Sequence, residues 1–518
     1  MLKFLRRIVT GHAGLLLIIA LAVSFRLIYL PRANTALFCD AGLYAGESKK
    51  ILFGLSDPLS FPCKPVLHIW YTALFFALFG ATVLSARVAT LIMGVLTIIP
   101  VYGISKIALR SRWHIIPPLL QAMLWYPVAY SVEPLVDTTL AFFICCAVLF
   151  FCLYMKRGRN IYLLLSGISA GLSVDTKETA LGLLVLLALF LLLKRKSLLI
   201  FLIPVVIAAA PEIIRQNRYG FYTKALMVGS GGISGLTLFR MLPAFFREII
   251  PDIAGRVLDI PLFVLLCSGV IVLLFKVLRK REYLYSPITL ICACAVFLSL
   301  FLSAGRIYAY GHWLVYAFPF YTIMIGYFFS EASVYFKKYN EKLLFIGVIF
   351  VLSLLVIPES LARKKYFPYH SPTHMDDPHR EFKARVYNRN LSEAADFIIK
   401  KQAEIDDSGD IVSIRPAAVV LEDLWSFLFY SIIKLKSGKT AELKLVYLPQ
   451  IFAEYKSFQN LEKKFKGFDI YYLFFKKYSP HLNGNMEFYD YFIKRNDLSG
   501  FGSCEFGESE VQIFFRKI

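Results

Sequence analysis

Long apolar segments alternate with short basic clusters over the first 357 residues of the chain. Basic residues beside apolar segments mark the cytoplasmic side of a membrane protein. If every cluster is cytoplasmic, the apolar sequence between two clusters must cross the membrane twice. The pattern therefore predicts a multi-pass protein with a cytoplasmic amino terminus, and its clusters lie at residues 3–7, 106–114, 156–159, 194–196, 276–281 and 337–342.

Eleven apolar segments fit this alternation as membrane-spanning helices. The first is longer than the apolar core of a signal peptide, so we expect it to stay as a membrane anchor. Residues 66–84 are also apolar, but a crossing there would reverse every later segment, so we predict a helix lying at the outer interface. The predicted crossings are residues 13–30, 88–105, 115–131, 138–155, 161–176, 179–193, 198–211, 259–275, 286–303, 314–330 and 343–357.

The composition agrees with a membrane protein and argues against two other classes. The 518-residue chain is 58% hydrophobic with a mean hydropathy of +0.60, which is too apolar for a soluble globular protein. Its net charge of +21 would suit a nucleic-acid-binding protein, but most basic residues of the first 342 positions lie in the clusters that flank apolar segments. We therefore predict no nucleic-acid partner.

The sequence changes character after Ile357, where the predicted membrane domain (residues 1–357) ends. Residues 358–389 are polar and contain proline, as expected of a linker. Residues 390–518 predict a small soluble α/β domain on the extracytoplasmic side, with a helix at 390–401 and strands at 411–414, 443–448, 468–475 and 511–515. The linker also leaves a metal site open, although its spacing matches no regular one, at His370, His374, Asp376, Asp377 and His379.

Charged residues gather on the predicted outer side, most densely in the first outside loop, residues 31–87. Ionisable groups beside membrane segments are costly unless they are solvated, paired or used. We therefore predict a catalytic site at the outer membrane surface. The first loop contributes Asp40, Lys64 and Arg87, and later loops contribute Glu133, Asp137, Asp175, Lys177, Glu178, Arg215, Arg218, Arg306, Tyr310 and His312.

The first outside loop also contains a motif, which runs Asp40-x3-Tyr44, Ile51-Leu52-x-Gly54, Lys64-Pro65-Val66-Leu67-His68-x-Trp70, Leu78-Phe79-Gly80 and Ala86-Arg87. It resembles the first-loop signature of the GT-C membrane glycosyltransferases. The more similar branches are the dolichyl-phosphate-mannose protein mannosyltransferases and the bacterial aminoarabinose (lipid A) transferases. Residues 136–138, 176–178 and 311–319 are similar to later blocks of the family.

This resemblance implies an enzyme that moves a sugar from a polyprenyl phosphate to a hydroxyl of a lipid or protein acceptor. Asp40 matches the catalytic base, Lys64 the lysine beside the donor phosphate, and Asp137 a second catalytic acid that supports the site. Some relatives carry an arginine three residues after the base, where this chain has Leu43. Other cations are then expected to hold the phosphate, namely Arg87, Arg215, Arg218 and Arg306, and the expected substrate contacts are Tyr44, His68, Tyr310 and His312.

The chemistry is consistent with these roles. A polyprenyl phosphate leaves as an ionised group, so the enzyme needs cations to stabilise it and one carboxylate to take the acceptor proton. Each residue also has a structural alternative. Asp40 would cap a helix well, Lys64 would extend its ammonium to the interface, Asp137 and Asp175 would interact favourably with helix dipoles, and Arg87 would pair with Asp40 or Asp57.

No cofactor is required by this chemistry, but a divalent metal is left open. Related oligosaccharyltransferases hold a divalent ion with acids from their first two outside loops, to which Asp40, Glu133 and Asp137 correspond. Cys39 and Cys63 flank the first loop on the predicted oxidising side, where a disulfide between them is one alternative.

Two other functional classes compete with a glycosyltransferase. A transporter or flippase of lipid-linked sugars should carry polar or broken helices near mid-bilayer in matching halves. A structural scaffold gives no reason for acids and bases from several loops to share one side. The sequence favours the glycosyltransferase and does not specify its sugar, acceptor or polyprenol.

Overall fold

The computed structural model describes residues 2–30, 37, 40–57, 59, 66–193, 198–219, 246, 250–303, 311–335, 341–363, 393–406, 411–415, 417–421, 432–434, 437, 440–447, 468–475, 502–506 and 511–516.

The apolar segments predicted from the sequence are helical. Short 3₁₀ or π-helical turns at Ser111–Ile115, Glu178–Ala180, Ile253–Val257, Arg281–Tyr285 and Gly311–Tyr316 connect several of them. The helices are α1 Leu2–Tyr29, α2 Asp40–Leu52, α3 Leu67–Phe79, α4 Val83–Leu96, α5 Ile98–Ala108, α6 Ile116–Met123, α7 Trp125–Tyr130, α8 Val136–Arg157, α9 Asn160–Val174, α10 Leu181–Leu193, α11 Leu199–Ala208, α12 Ala210–Tyr219, α13 Asp259–Arg279, α14 Pro287–Ser303, α15 Phe318–Tyr335, α16 Glu341–Arg363 and α17, residues 393–402.

Two predicted crossings are broken. Residues 115–131 form α6 and α7, because Leu124 takes an extended conformation (ψ 136°) and Pro127 lies in the first turn of the new helix. The helix predicted at residues 198–211 ends early, because the chain bends by 60° between α11 and α12. Pro211 lies in the first turn of α12, where its missing N–H costs no hydrogen bond.

The helices differ in length and in their ability to span a membrane. Among the described residues, four are long and apolar enough to cross alone, and a fifth crossing results if α11 and α12 count as one. The four are Val83–Ala108, Val136–Arg157, Asp259–Arg279 and Lys342–Ala362. Helices α9 and α10, with 15 and 13 residues, are shorter. The count of eleven crossings stays a prediction.

The chain divides into two compact units. The first unit comprises Met1–Arg32, Pro58–His68 and Arg87–Thr373, and the second comprises Ala33–Asp57, Ile69–Ala86 and His374–Ile518. The predicted linker and domain boundary at 358–389 fall largely outside the described residues.

Glycines bring helices of the first unit into close contact. A Cβ on Gly167 would lie 2.4 Å from the Phe201 carbonyl oxygen, and one on Gly171 would lie 2.5 Å from the Val205 carbonyl oxygen. Glycines spaced four residues apart are a common solution for close helix packing in membranes. They fix α9 against α11, and Ser166 ties α9 to α8 by donating to the Ala147 carbonyl at 2.9 Å.

The second unit contains a mixed five-stranded sheet and two short strand pairs. The strands are β1 Ala403–Ile405, β2 Ile411–Ile414, β3 Ala417–Leu421, β4 Ile432–Lys434, β5 Thr440–Glu442, β6 Lys444–Tyr447, β7 Asp469–Phe475, β8 Gly502–Phe506 and β9 Val511–Arg516. The order of the five-stranded sheet is β6-β3-β7-β9-β8, parallel across β6, β3 and β7 and antiparallel beyond. Helix α2, from the first outside loop, packs against β4. The four predicted strands are present as β2, β6, β7 and β9.

Candidate active site

The first charged pair of the first unit joins α4 to the segment between α7 and α8. Arg87 Nη1 lies 2.5 Å from Glu133 Oε1 and donates to the Val132 carbonyl at 3.2 Å. Burial raises the pKa of Glu133, and the positive charge of Arg87 offsets part of this rise. The Arg87 side chain is 1% exposed, so its charge is neutralised inside the protein.

The second charged pair joins the start of α8 to the segment between α9 and α10. Lys177 Nζ lies 2.7 Å from Asp137 Oδ1, and the two side chains are 7% and 2% exposed. Asp137 lies in the first turn of α8, where the helix dipole also favours a negative charge. A buried pair of this kind is stable only while both partners are present.

His68 connects both segments to α3. Its Nδ1 lies 2.9 Å from Thr139 Oγ1, and its ring also interacts with the Pro134 carbonyl and the Asp137 charge. One residue earlier, the Leu67 N–H donates to the Asp175 carbonyl at 3.0 Å. The start of α3 is therefore held against the same cluster of acids and bases.

A third charged pair lies on α12. Arg215 binds Glu212 through two hydrogen bonds of 2.8 and 2.7 Å, and Gln216 donates to the same carboxylate at 2.6 Å. Glu212 and Arg215 act electrostatically on Asp175, which is buried.

In the second unit, Asp40 is the first residue of α2 and is half-buried. Tyr44, one turn later, is 2% exposed. Ser48 anchors the helix by donating to the Ile69 carbonyl at 3.0 Å. A carboxylate at the first position of a helix is compatible with both predicted roles of Asp40, the base and the cap.

The structure describes only some of the remaining predicted residues. Arg218 is described and is exposed on α12. His312 lies in the 3₁₀ helix Gly311–Tyr316, but its side chain is not among those described. Outside the described residues are Lys64, Arg306, Tyr310, the cysteines Cys39 and Cys63, and the linker group His370, His374, Asp376, Asp377 and His379.

The described carboxylates do not form a metal site. No group of three His, Cys, Asp or Glu side chains in these ranges is placed to hold a metal ion. Glu133 and Asp137, the two acids matched to metal ligands, each bind a basic side chain instead.

Sequence reasoning placed these groups on one side but missed their pairing. The first unit brings together Arg87, Glu133, Asp137, Lys177 and His68, which come from separate loops. Glu212, Thr139 and Tyr316 were not anticipated as neighbours of the site. The 40-residue separation of Asp137 and Lys177 could have indicated their contact. Helices α8 and α9 take up the intervening residues and run in opposite directions, so the end of α9 returns to the start of α8.

Comparisons with known proteins identify the fold. Residues 63–213, less than a third of the chain, match the family model described as dolichyl-phosphate-mannose-protein mannosyltransferase. The solved structure of ArnT from Cupriavidus metallidurans bound to undecaprenyl phosphate is similar with a TM-score of 0.62 at 15% identity, covering 97% of this chain and 98% of that one. Its apo form gives a TM-score of 0.61 at 15% identity, with 98% of each chain covered.

An oligosaccharyltransferase from Archaeoglobus fulgidus in its apo form is also similar, with a TM-score of 0.49 at 15% identity, covering 88% of this chain and 69% of that one. The comparison with curated proteins found no match. The family match and the end-to-end similarity to ArnT confirm the resemblance indicated by the first-loop motif, and the chain shares the fold of the ArnT structure.

Proposed function

We propose that this chain transfers a sugar from a polyprenyl-phosphate donor to a hydroxyl of a lipid or protein acceptor on the extracytoplasmic face of the membrane. The observation that carries the proposal is the cluster of buried acids and bases at the start of α8 within an otherwise apolar helical unit. Such groups are costly beside a bilayer and are retained where they serve a function. The end-to-end similarity to a structure bound to undecaprenyl phosphate supports this class of donor.

In the proposed reaction, Asp40 accepts the proton of the acceptor hydroxyl as its oxygen attacks C1 of the sugar. The bond between C1 and the phosphate oxygen breaks, and its electron pair leaves with the polyprenyl phosphate. That leaving group is an ionised phosphate, so it needs nearby cations more than a proton. We assign this role first to Lys64, with Arg218 and Arg306 as further candidates.

Arg87 and Arg215 have a different relation to the phosphate. Each already lies against a carboxylate, Glu133 and Glu212 respectively, so the net charge of each pair is close to zero. We propose that they mainly hold the site in shape. Asp137, bound to Lys177, likewise positions the start of α8 and His68.

The extracytoplasmic domain is proposed to bind or cover the acceptor. Helix α2 begins with Asp40 and packs against β4 of that domain. This contact supports the placement of the domain on the same side of the membrane as the first outside loop. It also gives the domain a direct structural connection to the proposed base.

The test compares Asp40→Asn with Asp57→Asn, the same change at an exposed position of the same loop. Asparagine caps a helix about as well as aspartate but cannot take the proton. Transfer should fall by about 10²-fold or more in Asp40→Asn, with folding and donor binding kept, while Asp57→Asn stays near wild type. Mass spectrometry of cell-surface glycolipids and glycoproteins would measure the product, and near-normal product from Asp40→Asn would eliminate Asp40 as the base.

A flippase of lipid-linked sugars is the second candidate, and the break between α11 and α12 favours it. Discontinuous helices line substrate sites in many transporters. Activity in detergent and activity in vesicles separate the two functions. A transferase forms a new glycosidic bond in detergent. A flippase has no bilayer to move its substrate across in detergent, so its activity is measurable only in vesicles.

A further inference from the structure

Three buried polar atoms beside the Asp137–Lys177 pair make no well-formed hydrogen bond within the described residues. They are Asp175 Oδ1, Thr179 Oγ1 and Tyr316 Oη. Asp175 and Tyr316 are each 1% exposed. Nearly all buried polar groups in native proteins are hydrogen-bonded, and leaving one unpaired costs about 1–3 kcal/mol.

These atoms come from two segments that meet at the site. Asp175 and Thr179 lie on either side of Lys177, between α9 and α10. Tyr316 ends the 3₁₀ helix Gly311–Tyr316, which packs against α8. The Tyr316 hydroxyl neighbours the Thr179 hydroxyl, but the two are not placed for a well-formed hydrogen bond, and the Asp137 charge acts on the Tyr316 hydroxyl electrostatically. These three polar atoms with spare hydrogen-bonding capacity therefore lie next to the Asp137–Lys177 pair, whose two charges already bind each other.

We propose that Tyr316 and Thr179 form a subsite for the hydroxyl groups of the transferred sugar. This inference rests on the proposed function and extends it to the recognition of the sugar. Tyrosine and threonine hydroxyls each donate and accept, which matches a sugar hydroxyl that does the same.

The surrounding charges specify the class of ligand. The Tyr316 hydroxyl is within electrostatic reach of Asp137 and Glu178. Lys177 is the cation of this segment, and Asp137 binds it. A phosphate would be repelled by such a setting, whereas an uncharged polyhydroxyl group would not. The subsite therefore takes the sugar, and the phosphate of the donor binds elsewhere.

The first test measures stability without any ligand. Tyr316→Phe and Thr179→Val remove one hydroxyl each and keep nearly the same volume. The matched control is Tyr321→Phe, because Tyr321 is similarly buried and its hydroxyl is bonded to Ser299. The control should lower the melting temperature, while the two subsite variants should leave it unchanged or raise it. A fall in Tyr316→Phe as large as that in Tyr321→Phe would overturn the inference, because the hydroxyl would then be paired within the protein.

The second test measures binding by thermal shift with two probes. One is synthetic undecaprenyl phosphate, and the other is the polyprenyl-phosphate-sugar fraction extracted from membranes of cells that make the protein. Wild type should bind the sugar-bearing fraction more tightly. Tyr316→Phe and Thr179→Val should each weaken that binding by about fivefold to tenfold and leave binding of undecaprenyl phosphate unchanged, whereas Tyr321→Phe should keep both.

The outcomes separate the two proposals. Equal binding of both probes by wild type, or an undiminished preference for the sugar-bearing probe in the subsite variants, overturns the subsite and leaves the proposed function standing. Failure of wild type to bind either probe overturns the proposed donor class and the subsite with it.

Discussion

Separating the Asp137–Lys177 pair should strongly destabilise the first unit. The two charges lie 2.7 Å apart, and both side chains are buried. At an effective dielectric constant of about 20, their attraction is about 6 kcal/mol. Removing one partner leaves the other charge buried and uncompensated, which typically costs about 3–5 kcal/mol.

The experiment is a double-mutant cycle on purified protein, with unfolding followed in mixed micelles of increasing denaturing detergent. Lys177→Met and Asp137→Asn should each destabilise by about 3–5 kcal/mol, and the double variant should recover most of that loss. The coupling energy should exceed about 3 kcal/mol. The matched control is the Arg415–Asp469 pair, which is 3.9 Å apart with the arginine half-exposed, and its coupling should stay within about 0.2–1 kcal/mol.

Additive single effects, with a coupling energy within about 0.5 kcal/mol, would refute the reasoning, because sites that do not interact add within that margin. The cycle also separates stability from activity. The double variant should regain its fold without regaining transfer, since the groups that position His68 and the start of α8 remain absent. Recovery of transfer in the double variant would show that the pair serves stability alone.

Three further measurements address other parts of the molecule. Lys64→Met should lower the rate at subsaturating donor by roughly 10- to 100-fold, the value of one charge-assisted contact of about 1.5–3 kcal/mol, and an unchanged rate would remove Lys64 from the site. Thiol reagents that cannot cross the membrane should label cysteine at Leu55 and not at Arg159, both exposed in the structure, and labelling of both would contradict the predicted orientation. Gly94→Ala should destabilise by about 1–3 kcal/mol, because the new methyl group would lie 2.3 Å from Ser131 Cβ, and Ser131→Gly in the same chain should relieve most of that cost, which unfolding measurements can check.

The helices could be located from the sequence because membrane helices are apolar over their whole length and are bounded by basic clusters. The breaks inside these helices could not be located from the sequence. Leu124 is an ordinary apolar residue, and only Pro127 beyond it hints that a new helix starts. The same limit applies to β3, whose sequence Ala-Ala-Val-Val-Leu lies between β6 and β7 inside the sheet and lacks the alternation that marks a half-exposed strand.

The sequence could indicate which charged residues share one side of the membrane, but not which acid binds which base. The family resemblance singled out Asp40 and Asp137, whose catalytic roles stay predictions, and the predicted topology put Glu133, Lys177 and Arg87 on one side of the membrane. Which base meets which acid depends on helix lengths and rotations, since the partners are 40 and 46 residues apart along the chain. Pairing with Asp40 or Asp57 was one alternative for Arg87, and in the structure its Nη1 lies against the Glu133 carboxylate.

The short helices of the first unit set the depth at which a reaction would occur. Helices α9 and α10 have 15 and 13 residues, so they rise only about 22 and 20 Å, against a hydrocarbon layer of about 30 Å. If α9 starts and α10 ends near the inner headgroups, Asp137, Lys177 and Asp175 lie several ångströms below the outer headgroups. The sugar of a lipid-linked donor would then be drawn down into the protein while the isoprenoid tail stays in the hydrocarbon. The acceptor hydroxyl would have to reach the same depth to react.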